Sequence, residues 1–217
     1  MGTGRGSPVS LTQRMKNYYI AGWKTVEDWK LFRERLENES SEALWSEAIK
    51  DYFMKRLELR FLHPIKILQE NGTFAGEGFS IMVILCSLIE FLESTYQGKI
   101  YKYSRTNQFK KYEYSSSRAM FIGFLLSRQP FRGYFDQNLA EKFYSNIRCG
   151  LLHEASTKDG WRIEARSRAG VFIDRIQKIV YRDNFEEALR QYVSNYCIEL
   201  KSNKERQKAF IRKFNSL

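Results

Sequence analysis

The sequence predicts a mainly α fold, a helical bundle with a small β-hairpin inserted before the C-terminal helix. Three observations predict it. Only 3 prolines and 13 glycines punctuate 217 residues, too few for a turn-rich sandwich. Apolar residues recur every three or four positions over much of the chain after residue 40, the spacing of one helix face. The stretch Trp161 to Arg166 instead alternates apolar and charged residues, the period of a half-buried strand. With 43% hydrophobic and 15% aromatic residues, the chain has ample material for a packed core, which excludes wholesale disorder.

Residues 1–39 read as an N-terminal extension, partly flexible: Met1 to Pro8 lacks the apolar core of a signal peptide and reads as a flexible tail. Thr25-Val-Glu-Asp28 resembles a capping box, and Trp29 to Leu36 predicts a short amphipathic helix. Residues 40–217 form the predicted helical domain. Ser40 or Ser41 opens a helix in which Trp45, Ile49, Phe53 and Leu57 recur every four residues. Pro64 is expected to interrupt or bend it near His63. Asn71-Gly72, Gly76 and Gly78 mark a break. Phe79 to Tyr96 is apolar nearly all round until Glu90 and Glu93, which predicts the central buried helix, ended by Gly98.

Residues 99–114 read as a loop. Ser115 to Ser117 lead into a helix through Phe121, Phe124 and Leu125 that stops near Pro130. Asp136 is a natural N-cap for the next helix, with Leu139, Phe143, Ile147 and Leu151 as its stripe. Lys158-Asp-Gly160 is a turn, and the hairpin falls at about 160–182. Its second strand lies within 171–181, where Ile173, Ile176 and Val180 also suit a helix. Phe185, Leu189, Val193, Tyr196 and Leu200 form the face of the last helix.

The formal charge of +11 points toward a polyanionic partner, most simply nucleic acid, with an anionic membrane surface as the competing explanation. Cys86, Cys149 and Cys197 are odd in number and contain no CxxC pair, which excludes a disulfide framework and a zinc ribbon and fits a reducing cytoplasm. Two histidines and three scattered cysteines argue against a protein-built zinc site, so no metal or other cofactor is expected. The longest uncharged apolar run, Phe79 to Ile89, is about half of what a membrane span requires, so no membrane span is expected.

The chemically richest stretch is Phe143-Tyr-Ser-Asn-Ile-Arg-Cys-Gly-Leu-Leu-His-Glu-Ala155. It places Arg148 and His153 five residues apart on a predicted helix. A guanidinium that holds a phosphate beside an imidazole that moves protons can cut a phosphodiester without metal. Asn146 lies seven residues before His153 and so on nearly the same face, with Cys149 between them. Arg148 sits roughly 140° around the helix from His153, so convergence requires a curled arginine or a distorted helix. Gly150 makes such a distortion cheaper and would let another helix approach closely. Glu90 and Glu93 are the charges most in need of buried partners, and a Glu90–Arg148 pair would hold the guanidinium in place.

An apolar helix ending Leu88-Ile89-Glu90-Phe91-Leu92, followed by a later helix with Arg148-x4-His153, resembles the HEPN superfamily (higher eukaryotes and prokaryotes nucleotide-binding domains) over about residues 40–217. The resemblance implies an all-α bundle and a homodimer whose interface joins two Arg/His motifs in one cleft. It further implies a metal-independent endoribonuclease of toxin–antitoxin or defence systems, with RNA as substrate and an antitoxin or other regulatory protein as a further partner. Some members of the superfamily are non-catalytic. Arg148 and His153 become the catalytic pair and Glu90 a supporting acid. Cys149 departs from the polar residue, often Asn, that commonly follows the motif arginine.

Arg56-x6-His63 also fits the loose spacing, but Pro64 follows directly and Arg56 reads as part of a charged face. In residues 99–114, Lys99, Lys102, Arg105, Lys110 and Lys111 alternate with Tyr101, Tyr103, Phe109 and Tyr112. This is the pattern of single-strand RNA binders, or of a solvated loop whose rings lie against the bundle. The basic run from Lys201 to Lys213 reads as an RNA- or membrane-contacting helix, or as an ordinary exposed helix end. The alternative to a nuclease is a catalytically inert helical module that binds RNA or a protein.

Overall fold

The computed structural model describes residues 18–73, 76–104 and 108–217. The expected flexible tail over Met1 to Pro8 lies outside them. The fold is mainly α: among the described residues about 66% are helical, in seven helices accompanied by small sheets.

Two short antiparallel strands, β1 (Tyr19–Ala21) and β2 (Lys24–Thr25), turn through Gly22 and Trp23. Helix α1 (Val26–Glu39) starts at the capping box read from the sequence. Thr25 N–H donates to Asp28 Oδ2 at 2.7 Å and Asp28 N–H to Thr25 Oγ1 at 3.2 Å. This segment is no appendage. Trp29, Phe32 and Leu36 are buried in the same core as the rest, and Trp29 Nε1 donates to Asn215 Oδ1 at 2.8 Å. A boundary at residue 39 therefore separates no core.

Helix α2 is a continuous rod over 42–70, in which two π-wound runs, Ile49–Met54 and Glu58–Leu62, interrupt the α geometry. Pro64 does not end it. A proline ring strikes the carbonyl four residues back in an α helix, and the wider π run before His63 relieves that clash. Helix α3 (Glu77–Gln97) is the central helix, with Ile81, Met82, Leu85, Leu88, Ile89 and Leu92 all buried. It is long and apolar enough to cross a membrane by length and composition, but 56% of that window is buried inside the bundle, as a core helix requires. Gly98 ends it at φ +64, and any Cβ there would lie 2.7 Å from Ala209 Cα. Only glycine permits that approach.

The expected loop after Gly98 contains a parallel pairing of β3 (Ile100–Tyr101) with β4 (Glu113–Tyr114). Helix α4 (Ser117–Ser127) follows, capped by Ser116, and then a 3-10 turn at Phe131–Gly133. Helix α5 spans 137–154 and opens where Asp136 Oδ1 accepts from Leu139 N–H at 2.8 Å. The expected hairpin is a three-stranded sheet. β6 (Ile173–Asp174) pairs antiparallel with β7 (Ile179–Tyr181), and β5 (Arg162–Glu164) pairs parallel with β7 on the other side. The open choice at 171–181 thus resolves to strand.

Two helices close the chain, α6 (Arg182–Ser202) and α7 (Lys204–Phe214). Asn203 breaks them and caps the second through its side-chain oxygen. The basic C-terminal run is not an exposed helix end. Phe210 and Phe214 are buried against Trp29, and Phe210 also packs on Trp45 and Phe53. First and last described helices thus share one aromatic cluster.

Candidate functional site

The site grows from α5. Its central run, Tyr144–Cys149, is wound as a π helix. The distortion that the Arg148–His153 spacing calls for therefore lies in the six residues that include Arg148. Arg148 is half-buried, its guanidinium over the Tyr144 ring at 5.3 Å. Among the described residues it is the half-buried arginine that makes neither an ion pair nor a hydrogen bond. His153, in the last turn of α5, is exposed.

Helix α5 stops at Glu154 because Ala155 turns left-handed at φ +50 and donates its N–H to Gly150 O. The chain then doubles back, and Lys158 N–H reaches the Asn146 carbonyl at 2.9 Å. A Cβ on Gly150 would stand 2.5 Å from Ser156 O. Gly150 thus admits this returning loop, not another helix. Asn146 is half-buried, and the contact it makes with the loop is through its backbone.

Glu90 faces the same region from α3. The expected Glu90–Arg148 pair does not form. Glu90 Oε1 instead accepts from Tyr114 Oη at 3.1 Å and Ser117 Oγ at 3.0 Å. Both hydroxyls lie on elements that follow α3 and reach its carboxylate before α5 does. Burial, with the Glu90 charge second, holds the Tyr114 phenol well above its ordinary range. Burial also raises Tyr144; Arg148 opposes that shift, while Cys149 and Glu90 add to it. The four groups therefore share one electrostatic neighbourhood. Cys86, beneath it, is pushed up to about 12 by burial.

Glu93 takes a different partner. Arg128 donates Nε to Oε2 at 2.8 Å and its terminal nitrogen to Oε1 at 2.9 Å, and Gln97 hydrogen-bonds the same carboxylate. The guanidinium lies 3.5 Å over Tyr96. This buried pair joins α3 to the end of α4.

Of the expected RNA-binding cations, Arg105 lies outside the described residues. Lys102 is neutralised by Glu113 at 3.1 Å. Lys110 donates its backbone N–H to Glu113 at 2.9 Å, and its side chain is exposed. Lys111 lies 5.4 Å over Tyr112, and Lys99 is half-buried. Tyr101 and Tyr103 project into solvent, whereas Phe109, Tyr112 and Tyr114 lie against the protein.

Arg56 does not belong to a charged face. It is buried, donates to the Ile20 carbonyl and lies 5.3 Å over Phe91, remote in role from the exposed His63. Tyr144, Tyr114 and Ser117 join the site without having stood out in the sequence as chemistry-bearing residues. Tyr144 was discoverable, since it precedes Arg148 by four residues, one helical turn. The other two carried no local signal. Among the described residues no group of three or more His, Cys, Asp or Glu side chains could hold a metal ion. Comparison of the chain with protein-family models, with curated proteins and with solved structures finds no match.

Proposed function

We propose that the protein is a HEPN-like, metal-independent endoribonuclease, working in the cytoplasm as a homodimer in bacterial conflict or defence. One observation carries this reading: the half-buried guanidinium of Arg148 has no carboxylate partner among the described residues and shares its helix with an exposed imidazole. Stacking on Tyr144 holds the charge in place while leaving its hydrogen-bond donors for a phosphate. The net charge of +11 favours the approach of a polyanion.

In the proposed reaction, His153 takes the proton of an RNA 2′-hydroxyl. That oxygen attacks the adjacent phosphorus, the bond from phosphorus to the 5′-oxygen breaks, and a protonated His153 of the partner subunit returns a proton to the leaving oxygen. The products are a 2′,3′-cyclic phosphate and a 5′-hydroxyl. Arg148 neutralises the charge that builds on the non-bridging oxygens. DNA lacks the nucleophile and is spared. A regulatory protein would restrain the activity by covering Arg148 and His153.

Purified protein incubated with mixed RNA and a chelator tests this reading. Cyclic-phosphate ends are expected, and His153→Ala should lower the rate about 10²- to 10⁴-fold while leaving the fold unchanged. Intact RNA would replace the nuclease with the inert RNA- or protein-binding module. The exposed Tyr101 and Tyr103 beside Lys110 and Lys111 also suit that second reading.

A further inference from the structure

The chain has four tryptophans, and the fold buries three of them: Trp29, Trp45 and Trp161. Trp23 is 84% exposed. Burying a large aromatic ring is worth about 1.5–3 kcal/mol, so an indole left in water is not explained by folding.

The local structure presents it deliberately. Trp23 stands on the β1–β2 turn, held edge-on by Tyr19 at 5.8 Å. The turn is seated on α2 through Gly22, whose φ is +57 and where a Cβ would lie 3.1 Å from the Lys55 side chain. Between hairpin and α2 opens a cleft of about 650 Å³, lined by Trp23, Lys24, Lys50, Asp51, Lys55 and Glu58. Three ammonium groups outnumber two carboxylates. Lys50 and Lys55 are exposed and form no ion pair among the described residues, and Lys24 lies 5.8 Å over Tyr52. The volume falls in the range of small-molecule sites, large enough for a nucleotide.

A free indole face next to unpaired lysines is the chemistry that grips unpaired nucleotides: rings stack on bases and cations meet the flanking phosphates. We propose that this cleft is a subsite for a single RNA strand. One unstacked base lies on Trp23, and its phosphates contact Lys24, Lys50 and Lys55. Asp51 and Glu58 accept hydrogen bonds from base amines or the 2′-hydroxyl. Within a duplex each base is already stacked on its neighbours and offers no free face, so duplex RNA is not held here. That the strand is a substrate rests on the nuclease reading; that it binds does not.

The test uses the whole chain and a 2′-O-methyl RNA oligonucleotide, which lacks the nucleophile and so cannot be cut by the proposed reaction. Because the other tryptophans are buried, quenching of the exposed indole reports the cleft directly. The oligonucleotide should quench tryptophan emission and shield it from acrylamide, and the same sequence as duplex should not. Trp23→Leu should abolish the quenching and weaken binding about 5- to 100-fold, the worth of one stacked base. Lys50→Gln with Lys55→Gln should flatten the salt dependence. Unquenched emission with bound oligonucleotide, unchanged affinity of Trp23→Leu, or equal quenching by an acidic peptide would each overturn the subsite. Loss of cleavage by His153→Ala would still stand in that case. If instead His153→Ala cuts RNA at the parent rate while quenching persists, the subsite stands and the catalytic assignment falls.

Discussion

Lys213 makes a sharp prediction about stability. It lies on α7, 7% exposed, its ammonium 5.8 Å over the Phe91 ring. The buried Arg56 guanidinium stands over the same ring at 5.3 Å. Burial, with repulsion from Arg56 second, drives the amine down from 10.5 to about 8; Glu90 opposes the shift without forming an ion pair. The folded state thus binds this proton more weakly than the unfolded chain. Below pH 8 the amine is charged in both states and the burial penalty is at its full size, about 3 kcal/mol at roughly 1.4 kcal/mol per tenfold change in proton affinity. As pH rises from 8 to 10.5 the folded protein sheds the proton first and the penalty fades, to about 1 kcal/mol at pH 10. Lys213→Met keeps the length of the side chain and removes the charge. Urea denaturation should show the variant more stable than the parent by about 3 kcal/mol at pH 7, with the gap narrowing by about 2 kcal/mol at pH 10. A variant that is no more stable at pH 7, or a gap that does not change with pH, would refute the reasoning.

Two other perturbations follow from the geometry. Glu93→Gln leaves the Arg128 guanidinium facing a neutral amide in a buried site, and should cost about 3–5 kcal/mol in the same denaturation assay. A loss below 1 kcal/mol would mean that Arg128 finds water or another acceptor. Gly150→Ala sets two effects against each other. Alanine favours the helix by about 1 kcal/mol, but its Cβ meets Ser156 O at 2.5 Å, and displacing that loop costs about 1–3 kcal/mol together with the Lys158–Asn146 hydrogen bond. Net destabilisation of up to about 2 kcal/mol is expected, and a more stable Gly150→Ala would show that the returning loop moves freely.

The parts of this fold legible in the sequence are those set by local pattern. The Thr25–Asp28 capping box, the Asp136 cap and the apolar face of α3 depend on neighbours within four residues, and each lies where the spacing put it. Pairings over long separations were not legible. Nothing in Trp161 to Arg166 announces that β5 runs parallel to β7, because a parallel partner is chosen by the path of the whole connection. Nor could spacing show that Pro64 sits just after a π-wound run, or that Phe210 and Phe214 turn a basic segment into core. At the candidate site, the sequence brought Arg148, His153 and Glu90 to attention as chemistry-bearing residues. It misassigned the partner of Glu90, since the hydroxyls of Tyr114 and Ser117 lie 24 and 27 residues further along the chain.

The shared aromatic cluster of α1 and α7 has a consequence for biosynthesis. Trp29 and its hydrogen-bond partner Asn215 are 186 residues apart. A ribosome adding about 5–20 residues per second needs roughly 10 to 40 s to make the intervening chain. Until Phe210 and Phe214 emerge, Trp29, Trp45 and Phe53 lack the α7 rings that complete their cluster. The nascent chain must therefore carry an unsealed apolar surface until α7 has been made.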